Sequence, residues 1–207
     1  MTVIDDAFRN PVVPLLTRDS IAWLDKHLNR SMVGVEYGGG SSTLWLLERL
    51  GELYTIEAQP AWAVKLIQEV SKNQEMLDKW RLYFVNCTWQ IDDLGNRWYT
   101  RDSTTGEHQA SIERSYCSFT QKADFVLVDG AIRYAALAKA VQMLKPSGVL
   151  CVDNMELPAR ERYANDLIPT TWPRFDFPEA EEFVPPTYFG HEKHLGKWIT
   201  SIWMSPP

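Results

Sequence analysis

The fold is decided by one stretch of the chain, MVGVEYGGGSST, residues 32–43. Its first half is apolar and partly β-branched, which predicts a buried strand. The glycines that follow interrupt the strand, and Ser41 and Ser42 are typical of a helix start. Glycines between a strand and a helix let a ligand approach the backbone closely, and the N–H groups at a helix start bind anions. The stretch therefore predicts a strand, a ligand-binding turn and a helix.

Segments with strand and helix patterns alternate along the rest of the chain. Such alternation is typical of α/β domains in which helices cover both faces of the sheet. We expect a mostly parallel central sheet whose last strand is antiparallel. Strands are predicted over residues 32–37, 53–56, 82–85, 124–128, 149–152, 174–177 and 198–203, and helices over 16–29, 41–50, 61–71, 134–144 and 159–167, with further helix up to residue 80.

The chain of 207 residues has the length of one domain, and no internal repeat or domain boundary is visible. We therefore expect a single domain over residues 1–207 that begins with a helical segment at 1–30. Residues 89–122 are the least regular part, with one short helix near 110–115. They form either a lid over the ligand or a surface excursion. Residues 178–196 are expected to form a loop over the ligand face.

Composition and charge argue against several classes of protein. Hydrophobic residues make up 45% and charged residues 23% of the chain, as in globular proteins and unlike disordered or fibrous ones. The formal net charge of -6 argues against a nucleic-acid binder. No apolar run reaches the roughly 18 residues that a membrane span needs. We expect no nucleic-acid partner and no membrane association, and the sequence leaves a homodimer open.

The cysteines and the N-terminus predict a cytoplasmic location. The three cysteines are odd in number and include no CxxC pair, which argues against a disulfide framework and against a common zinc site. Residues 1–10 lack the basic-then-apolar order of a signal peptide. Both observations favour a reducing compartment.

Carboxylates recur where the predicted strands end. In a parallel sheet, ligands bind outside the carboxyl ends of the strands, near the point where the strand order reverses. Of the five strand ends expected there, four carry a carboxylate: Glu36, Glu57, Asp129 and Asp153. Strand ends also need polar caps, but this arrangement favours a ligand site.

The glycine turn is compatible with two kinds of cofactor. A GxGxxG dinucleotide motif would begin at Gly38 and Gly40, but Thr43 replaces its third glycine, which argues against a nicotinamide cofactor. Glu57 ends the second strand about 20 residues after the glycines, where an acid accepts both ribose hydroxyls. Such a ribose occurs in NAD and also in S-adenosylmethionine, so these residues alone leave both cofactors open.

Several parts of the chain resemble motifs of the class I S-adenosylmethionine-dependent methyltransferase superfamily. Residues 36–43 resemble its motif I, Glu57 its acidic residue after the second strand, and residues 125–130 its motif IV. Residues 144–150 resemble the turn before its fifth strand, and residues 198–203 resemble the final strand of a largely uncharacterised subset. The resemblance implies a Rossmann-like methyltransferase sandwich, S-adenosylmethionine as cofactor, and methyl transfer by in-line displacement.

The same resemblance assigns roles to single residues. Asp129 would face the reacting methyl group, Glu57 would bind the ribose, and Ala58 would lie beside the adenine. The residues implied to bind the cofactor are Glu36, Gly38, Gly40, Ser41, Ser42, Thr43, Glu57, Ala58, Asn86, Cys87 and Asp129.

A narrower resemblance links the chain to cation-dependent O-methyltransferases of the catechol type. Asp129, Asp153 and Asn154 match the positions of metal ligands in that family, which implies Mg²⁺ or another divalent cation on oxygen ligands. The alternative is that both aspartates form hydrogen bonds at strand ends. The chain departs from that family directly after Asp129, where residues 130–134 read GAIRY. Oxygen is the first choice of acceptor atom on this resemblance alone.

Residues near the strand ends are candidates for acceptor binding. Arg133, Tyr134 and Tyr188 are the substrate-binding candidates. Arg133 either binds an acidic group of the acceptor or pairs with Asp129 or Asp153, as arginines often do with carboxylates.

Proton transfer has candidates of its own. Asp129 and His191 are the catalytic candidates, since imidazole titrates near neutral pH, and His194 is the alternative base. The other interpretation of both histidines is that they lie in solvent on a loop. The residues that would contact the acceptor from a lid are Trp98, Tyr99 and Arg101.

The sequence thus predicts an S-adenosylmethionine-dependent methyltransferase acting on a small or medium-sized acceptor. Two alternatives stay open: an NAD- or nucleotide-binding enzyme on a similar sheet, and a non-catalytic S-adenosylmethionine-binding protein. A cofactor titration distinguishes the NAD- or nucleotide-binding enzyme from the predicted methyltransferase. A measurement of turnover distinguishes the non-catalytic binding protein from it.

Overall fold

The computed structural model describes Phe8 and residues 13–85, 89–91, 97–99, 114–180 and 197–207. The helices are α1 (Arg18–His27), α2 (Ser41–Arg49), α3 (Pro60–Val70), α4 (Gln74–Lys79), α5 (Arg133–Met143) and α6 (Pro158–Leu167). The strands are β1 (Val33–Tyr37), β2 (Glu52–Glu57), β3 (Trp80–Phe84), β4 (Trp89–Ile91), β5 (Arg97–Tyr99), β6 (Ala123–Val128), β7 (Leu144–Val152), β8 (Arg174–Ala180) and β9 (Lys197–Met204). Among the described helices, none has both the length and the apolar composition that crossing a bilayer requires.

Seven strands form one sheet in the order β3-β2-β1-β6-β7-β9-β8. Pairing is parallel from β3 through β7, whereas β9 is antiparallel to both of its neighbours. The predicted α/β fold is therefore confirmed, including the antiparallel last strand. The strand order reverses between β1 and β6, so the carboxyl ends of these strands form the expected ligand edge. Because β9 reverses the direction, β8 ends and β9 begins at that same edge.

Helices bury apolar side chains on both faces of the sheet. On one face, Leu137 of α5 and Ala164 of α6 pack with strand residues such as Val126. On the other, Leu24, Leu46 and Leu66, from α1, α2 and α3, pack with strand residues such as Leu127. Every one of these side chains is almost fully removed from water, which contributes most of the driving force for this sandwich.

Two element boundaries differ from the prediction. The helix after Pro60 does not continue to residue 80, because Asn73 starts a second helix by accepting a hydrogen bond from Met76 N (3.3 Å). Strand β7 begins at Leu144, not at residue 149, because Leu144 already pairs with Ala123. Between Leu144 and Val149 the pairing of β7 with β6 shifts its register, and in this stretch Ser147 has a positive φ of 59°.

The irregular part of the chain contains more regular structure than the sequence indicated. Residues 89–91 and 97–99 pair as an antiparallel two-stranded ladder, β4-β5, separate from the main sheet. A single turn of helix covers residues 114–116, at the end of the short helix predicted near 110–115. A two-stranded ladder has too few residues for periodicity to reveal it.

Two glycines bring the turn after β1 against the turn after β6. Gly38 has a φ of +93°, and a Cβ atom there would lie 2.4 Å from the Cα of Gly130. A Cβ atom on Gly130 would lie 2.4 Å from the hydroxyl oxygen of Tyr116. The two turns can pack this closely only because both positions lack a side chain.

We predict that Gly38→Ala destabilises the fold by about 3 kcal/mol, because it combines a left-handed backbone with a clash against main chain. Gly40→Ala is the matched control, since Gly40 has extended backbone and a Cβ atom there meets the Trp62 ring only at 3.5 Å. Urea unfolding of both variants checks this. Equal losses of stability in the two variants would contradict it.

Candidate functional site

Main-chain hydrogen bonds continue past the strand ends and join the turns at the ligand edge. Each turn is bonded to the neighbouring strand, so the turns are extensions of the sheet and not free loops. The bonds run from Gly38 N to Ile56 O (2.9 Å), from Asp129 N to Tyr37 O (3.0 Å), from Asp153 N to Val128 O (3.3 Å) and from Val85 N to Glu57 O (2.9 Å).

Glu36 lies beneath the glycine turn and is completely buried. Its carboxylate accepts hydrogen bonds from the hydroxyls of Ser42, Thr43 (2.6 Å) and Thr55 (3.2 Å). Thr43 Oγ1 in turn accepts from Gly40 N at 3.1 Å. Burial raises the pKa of Glu36 to about 8, although the three hydroxyls act in the opposite direction. The structure therefore places Glu36 where it holds the start of α2 against the sheet.

Glu57 joins the glycine turn to the start of α3. Its Oε2 accepts from Gly39 N (2.7 Å), and its Oε1 accepts from Ala58 N (2.8 Å) and Gln59 N (2.6 Å). Burial raises the pKa of Glu57 to about 7, because desolvation outweighs these three donors, and the charge of Asp129 adds to the rise. A carboxylate has about four acceptor positions, and these three donors occupy three of them.

The open part of the motif is the glycine turn itself. Ser41, Ser42 and Thr43 are buried, and Ala58 is buried in the core. By contrast, a Cβ atom on Gly40 would meet, among the described residues, only the ring edge of Trp62. The backbone of Gly40 therefore borders a space that a side chain would fill and a ligand can use.

Asp129 and Arg133 form an ion pair at the ends of β6 and β7. Arg133 Nη2 donates to Asp129 Oδ1 (2.7 Å) and to the main-chain oxygen of Asp129 (2.9 Å). Its Nη1 donates to the main-chain oxygen of Asp153 (2.6 Å), and its Nε to that of Gly130 (3.0 Å). Burial raises the pKa of Asp129, whereas the charge of Arg133 and its hydrogen bond act against that rise.

Of the two roles that the sequence left open for Arg133, the structure shows pairing with Asp129. Its side chain is only 11% exposed, and four of its five N–H donors are used within the chain. The Asp129 side chain is 27% exposed and faces the edge. Among the described residues, Asp129 Oδ2 has no hydrogen-bond partner, whereas Oδ1 accepts from Arg133.

The side chain of Asp153 is bonded to side chains of β9, the strand that pairs with β7. Its carboxylate accepts from the Trp198 indole, at 3.0 Å on Oδ1 and 3.1 Å on Oδ2, and from the Thr200 hydroxyl, at 2.6 Å on Oδ1. Only 3% of the residue is exposed. Burial raises the pKa of Asp153 well above its usual value, and the charge of Asp129 adds to the rise.

The donor set does not fit a divalent cation. The carboxylates of Asp129 and Asp153 accept hydrogen bonds from different donors, Arg133 in one case and Trp198 with Thr200 in the other. In the part of the chain that the structure describes, no group of three or more His, Cys, Asp and Glu side chains converges on one point. Of the two roles that the sequence left open for these aspartates, hydrogen bonding at strand ends matches the observed geometry.

Of the other predicted site residues, some lie near the sheet edge, and some lie outside the described part of the chain. Tyr134 is 45% exposed and packs edge-on against Tyr163 of α6, with ring centroids 5.1 Å apart. Asn154 follows β7 with a positive φ of 59°. The positions of Trp98 and Tyr99 are described as part of β5, but not their side chains. The predicted residues that lie outside the described part of the chain are Asn86, Cys87, Arg101, Tyr188, His191 and His194.

The structure adds residues that sequence reasoning missed. Thr55 belongs to the Glu36 network and also accepts a hydrogen bond from the Trp80 indole (2.9 Å). Trp198 and Thr200 hold the Asp153 carboxylate. Trp62 borders the glycine turn, and its place in the first turn of the helix after Glu57 was a signal that the sequence contained. The partners of Asp153 gave no such signal, since 45 and 47 residues separate them from it.

Comparison with solved structures identifies the fold. An rRNA methylase from Streptococcus thermophilus matches with a TM-score of 0.60 at 13% identity, over 97% of this chain and 99% of that one. The O-methyltransferase TomG from Streptomyces achromogenes, solved in complex with SAM, matches with a TM-score of 0.58 at 15% identity, over 90% and 77%. Precorrin 8w decarboxylase from Methanobacterium thermoautotrophicum matches with a TM-score of 0.55 at 17% identity, over 99% and 100%.

The chain has the Rossmann-like fold of the class I S-adenosylmethionine-dependent methyltransferases. The resemblance drawn from the motifs is thereby confirmed at the level of the fold. Neither a family model nor a curated protein sequence matches the chain. The names of the structural neighbours differ in reaction and acceptor, so the site has to supply the argument for function.

We predict that stability falls as the pH rises from about 4.5 to about 8, because folded Glu36 keeps a proton that the unfolded chain releases near pH 4.5. The slope from this group is about 1.4 kcal/mol per pH unit within that window. Glu36→Gln should remove the part of this pH dependence that comes from Glu36 and leave the part that comes from Glu57.

Urea unfolding at intervals between about pH 5 and about pH 8 measures the slope. Glu48→Gln is the control, because the side chain of Glu48 is 61% exposed. An identical slope in wild type and Glu36→Gln would show that Glu36 is not a buried, protonated acid.

Proposed function

We propose that the protein is an S-adenosylmethionine-dependent methyltransferase that acts on a small or medium-sized acceptor, with oxygen as the first choice of acceptor atom. One observation carries this proposal: the open backbone of the glycine turn lies beside the Glu57 carboxylate and in contact with the turn that carries Asp129. This combination supports a cofactor subsite and an acceptor subsite next to each other at one sheet edge.

The residues at this edge fit the cofactor. The space beside Gly40 admits a ligand against the main chain, and Glu57 Oε2 keeps an acceptor position for a ribose hydroxyl. Gly38 and Gly40 would border the methionine part, and Ala58 would lie behind the adenine. In this proposal the Glu36, Ser42 and Thr43 network sets the shape of the turn without touching the ligand.

The chain's own residues would position the acceptor and accept its proton. Bound S-adenosylmethionine supplies an electrophilic methyl group, and the acceptor loses a proton as it attacks. Asp129 Oδ2 accepts a hydrogen bond from the acceptor hydroxyl, while Arg133 holds Oδ1 in place. Burial raises the pKa of Asp129 above its usual value, which makes its carboxylate a better base than an exposed aspartate. His191 stays a second candidate base, in the part of the chain between β8 and β9.

The acceptor class rests on charge. A net charge of -6 disfavours a polyanionic acceptor, which supports a small molecule over RNA. The neighbour named an rRNA methylase gives the competing candidate, and a methylation assay with total RNA tests it.

We also propose a cytoplasmic location, since the described cysteines, Cys117 and Cys151, are free thiols.

The alternative of a nicotinamide enzyme is disfavoured by the position of Thr43. The third glycine of a dinucleotide motif allows close packing of helix and strand. Here Thr43 fills that position, is fully buried, and donates to Glu36. The alternative of a non-catalytic binding protein predicts cofactor affinity with no turnover on any acceptor.

We predict that S-adenosylmethionine binds the wild type and that Glu57→Gln weakens binding on the order of tenfold to hundredfold, because the ribose loses a charged acceptor. Glu52→Gln, at the other end of the same strand, is the matched control. Calorimetric titration gives both affinities, and thermal melting of each variant shows that it is folded. Tight NAD binding together with no S-adenosylmethionine binding would overturn the proposed function.

We predict that Asp129→Asn lowers turnover about a hundredfold or more while cofactor affinity changes little, since removal of a general base costs on this order. Asp124→Asn, at the start of the same strand, is the control. Once an acceptor has been found, initial rates and cofactor titrations separate the two effects. Full activity in Asp129→Asn would remove this residue from the mechanism.

A further inference from the structure

The Arg133 guanidinium occupies the junction between the ends of β6 and β7. It donates to three main-chain oxygens, those of Asp129, Gly130 and Asp153, and to one carboxylate oxygen of Asp129. The main-chain oxygens and the carboxylate thus surround a positive charge that belongs to the chain itself. Oxygen atoms are also the ligands of hard divalent cations, but here these four oxygens accept hydrogen bonds from Arg133.

Two features of α5 indicate that this placement has an energetic cost. Ile132, directly before the helix, has φ 49° and ψ 43°, a left-handed conformation that a β-branched residue rarely adopts. Arg133 is the first residue of the helix, where a positive side chain opposes the helix dipole, and no acidic residue in the first turn offsets it. Both features are locally unfavourable. The hydrogen bonds that the Arg133 guanidinium makes at the strand ends offset this cost.

Asp153 is unable to join Asp129 on a metal in this arrangement. Its carboxylate is bonded to Trp198 and Thr200 on β9, and turning it toward the edge would leave the buried indole N–H without an acceptor. An unpaired buried donor costs about 1–3 kcal/mol. The main-chain oxygen of Asp153, and not its carboxylate, is the group that faces the positive charge.

We propose that the Arg133 guanidinium is the permanent cation of this site and replaces the divalent metal of catechol-type methyltransferases. The acceptor is then bound by hydrogen bonds through a single nucleophilic group at Asp129, and not by two neighbouring oxygens that chelate a metal. Arg133 acts through Asp129 as a positioning residue. The statement about the acceptor rests on the proposed function, whereas the statement about the cation concerns the protein alone.

The first experiment titrates the wild-type protein with MgCl₂ and with MnCl₂ by calorimetry, at constant ionic strength. The expected result is no saturable binding. Saturable binding that Asp129→Asn abolishes would overturn the proposal. The experiment needs neither cofactor nor acceptor, so its outcome is independent of whether the methyltransferase proposal holds.

The second experiment measures the pKa of Asp129 from its carboxyl carbon resonance in wild type, Arg133→Gln and Arg174→Gln. Removal of a paired guanidinium should raise the pKa of Asp129 by about one to three pH units in Arg133→Gln. Arg174 is the matched control, because it forms a bidentate pair with Glu161 (2.6 and 2.8 Å) at the far end of β8. An unchanged pKa in Arg133→Gln would overturn the proposal.

If Arg133→Gln does not fold, Arg133→Lys gives the same test. Lysine keeps the charge but lacks the planar set of donors that reaches both strand ends. In Arg133→Lys, the pKa of Asp129 should rise by less than the about one to three pH units expected for Arg133→Gln, because the positive charge is kept. The melting temperature should fall, because hydrogen bonds to the strand ends are lost. A melting temperature equal to that of wild type would show that the multiple hydrogen bonds are not what places the cation, and would overturn the proposal.

Discussion

The site depends on a contact between two stretches of main chain. Because Gly38 and Gly130 lack side chains, the turn after β1 and the turn after β6 approach to a distance that a Cβ atom at either position would prevent. The proposed cofactor turn and the turn that carries Asp129 thereby become one surface. Helices on both faces and hydrogen bonds past the strand ends keep that surface rigid. Without this contact, the turns after β1 and β6 would follow neighbouring strands but could not pack against each other.

Four carboxylates lie in or directly after the carboxyl-terminal ends of β1, β2, β6 and β7, and each has different surroundings. Hydroxyls surround Glu36, main-chain N–H groups surround Glu57, an indole and a hydroxyl hold Asp153, and a guanidinium holds Asp129. Burial raises the pKa of all four. Of these, Asp129 combines a fixed cation with an oxygen that has no partner among the described residues. Environment, and not residue type, separates the proposed reacting group from the supporting ones.

Local signals made much of the fold predictable. The pattern of residues 32–43 determines a strand, a turn and a helix through neighbours in sequence, and the structure has all three. The pairing of Leu144 with Ala123 and the β4-β5 ladder depend on contacts between distant segments, and the sequence did not reveal them. The choice of partner for Arg133 stayed open for a different reason: Asp129 lies only four residues away, but the sequence does not show where the side chain points. The predictions for Asn86, Cys87, Tyr188 and His191 stay predictions, because these residues lie outside the described part of the chain.

The hydrogen bonds of Asp153 extend to the beginning of α1. Thr17 N donates to Thr200 Oγ1 (3.1 Å), and this hydroxyl donates to Asp153 Oδ1 (2.6 Å). One chain of hydrogen bonds therefore joins the start of α1 to the end of β7, although these segments are far apart in sequence. Local opening at the start of α1 would remove the N–H group from which Thr200 Oγ1 accepts, and this hydroxyl, which helps to hold Asp153, would lose its main-chain partner. Amide exchange at Thr17 would then report on this hydrogen bond, so that α1 is linked to the end of β7 as well as covering the core.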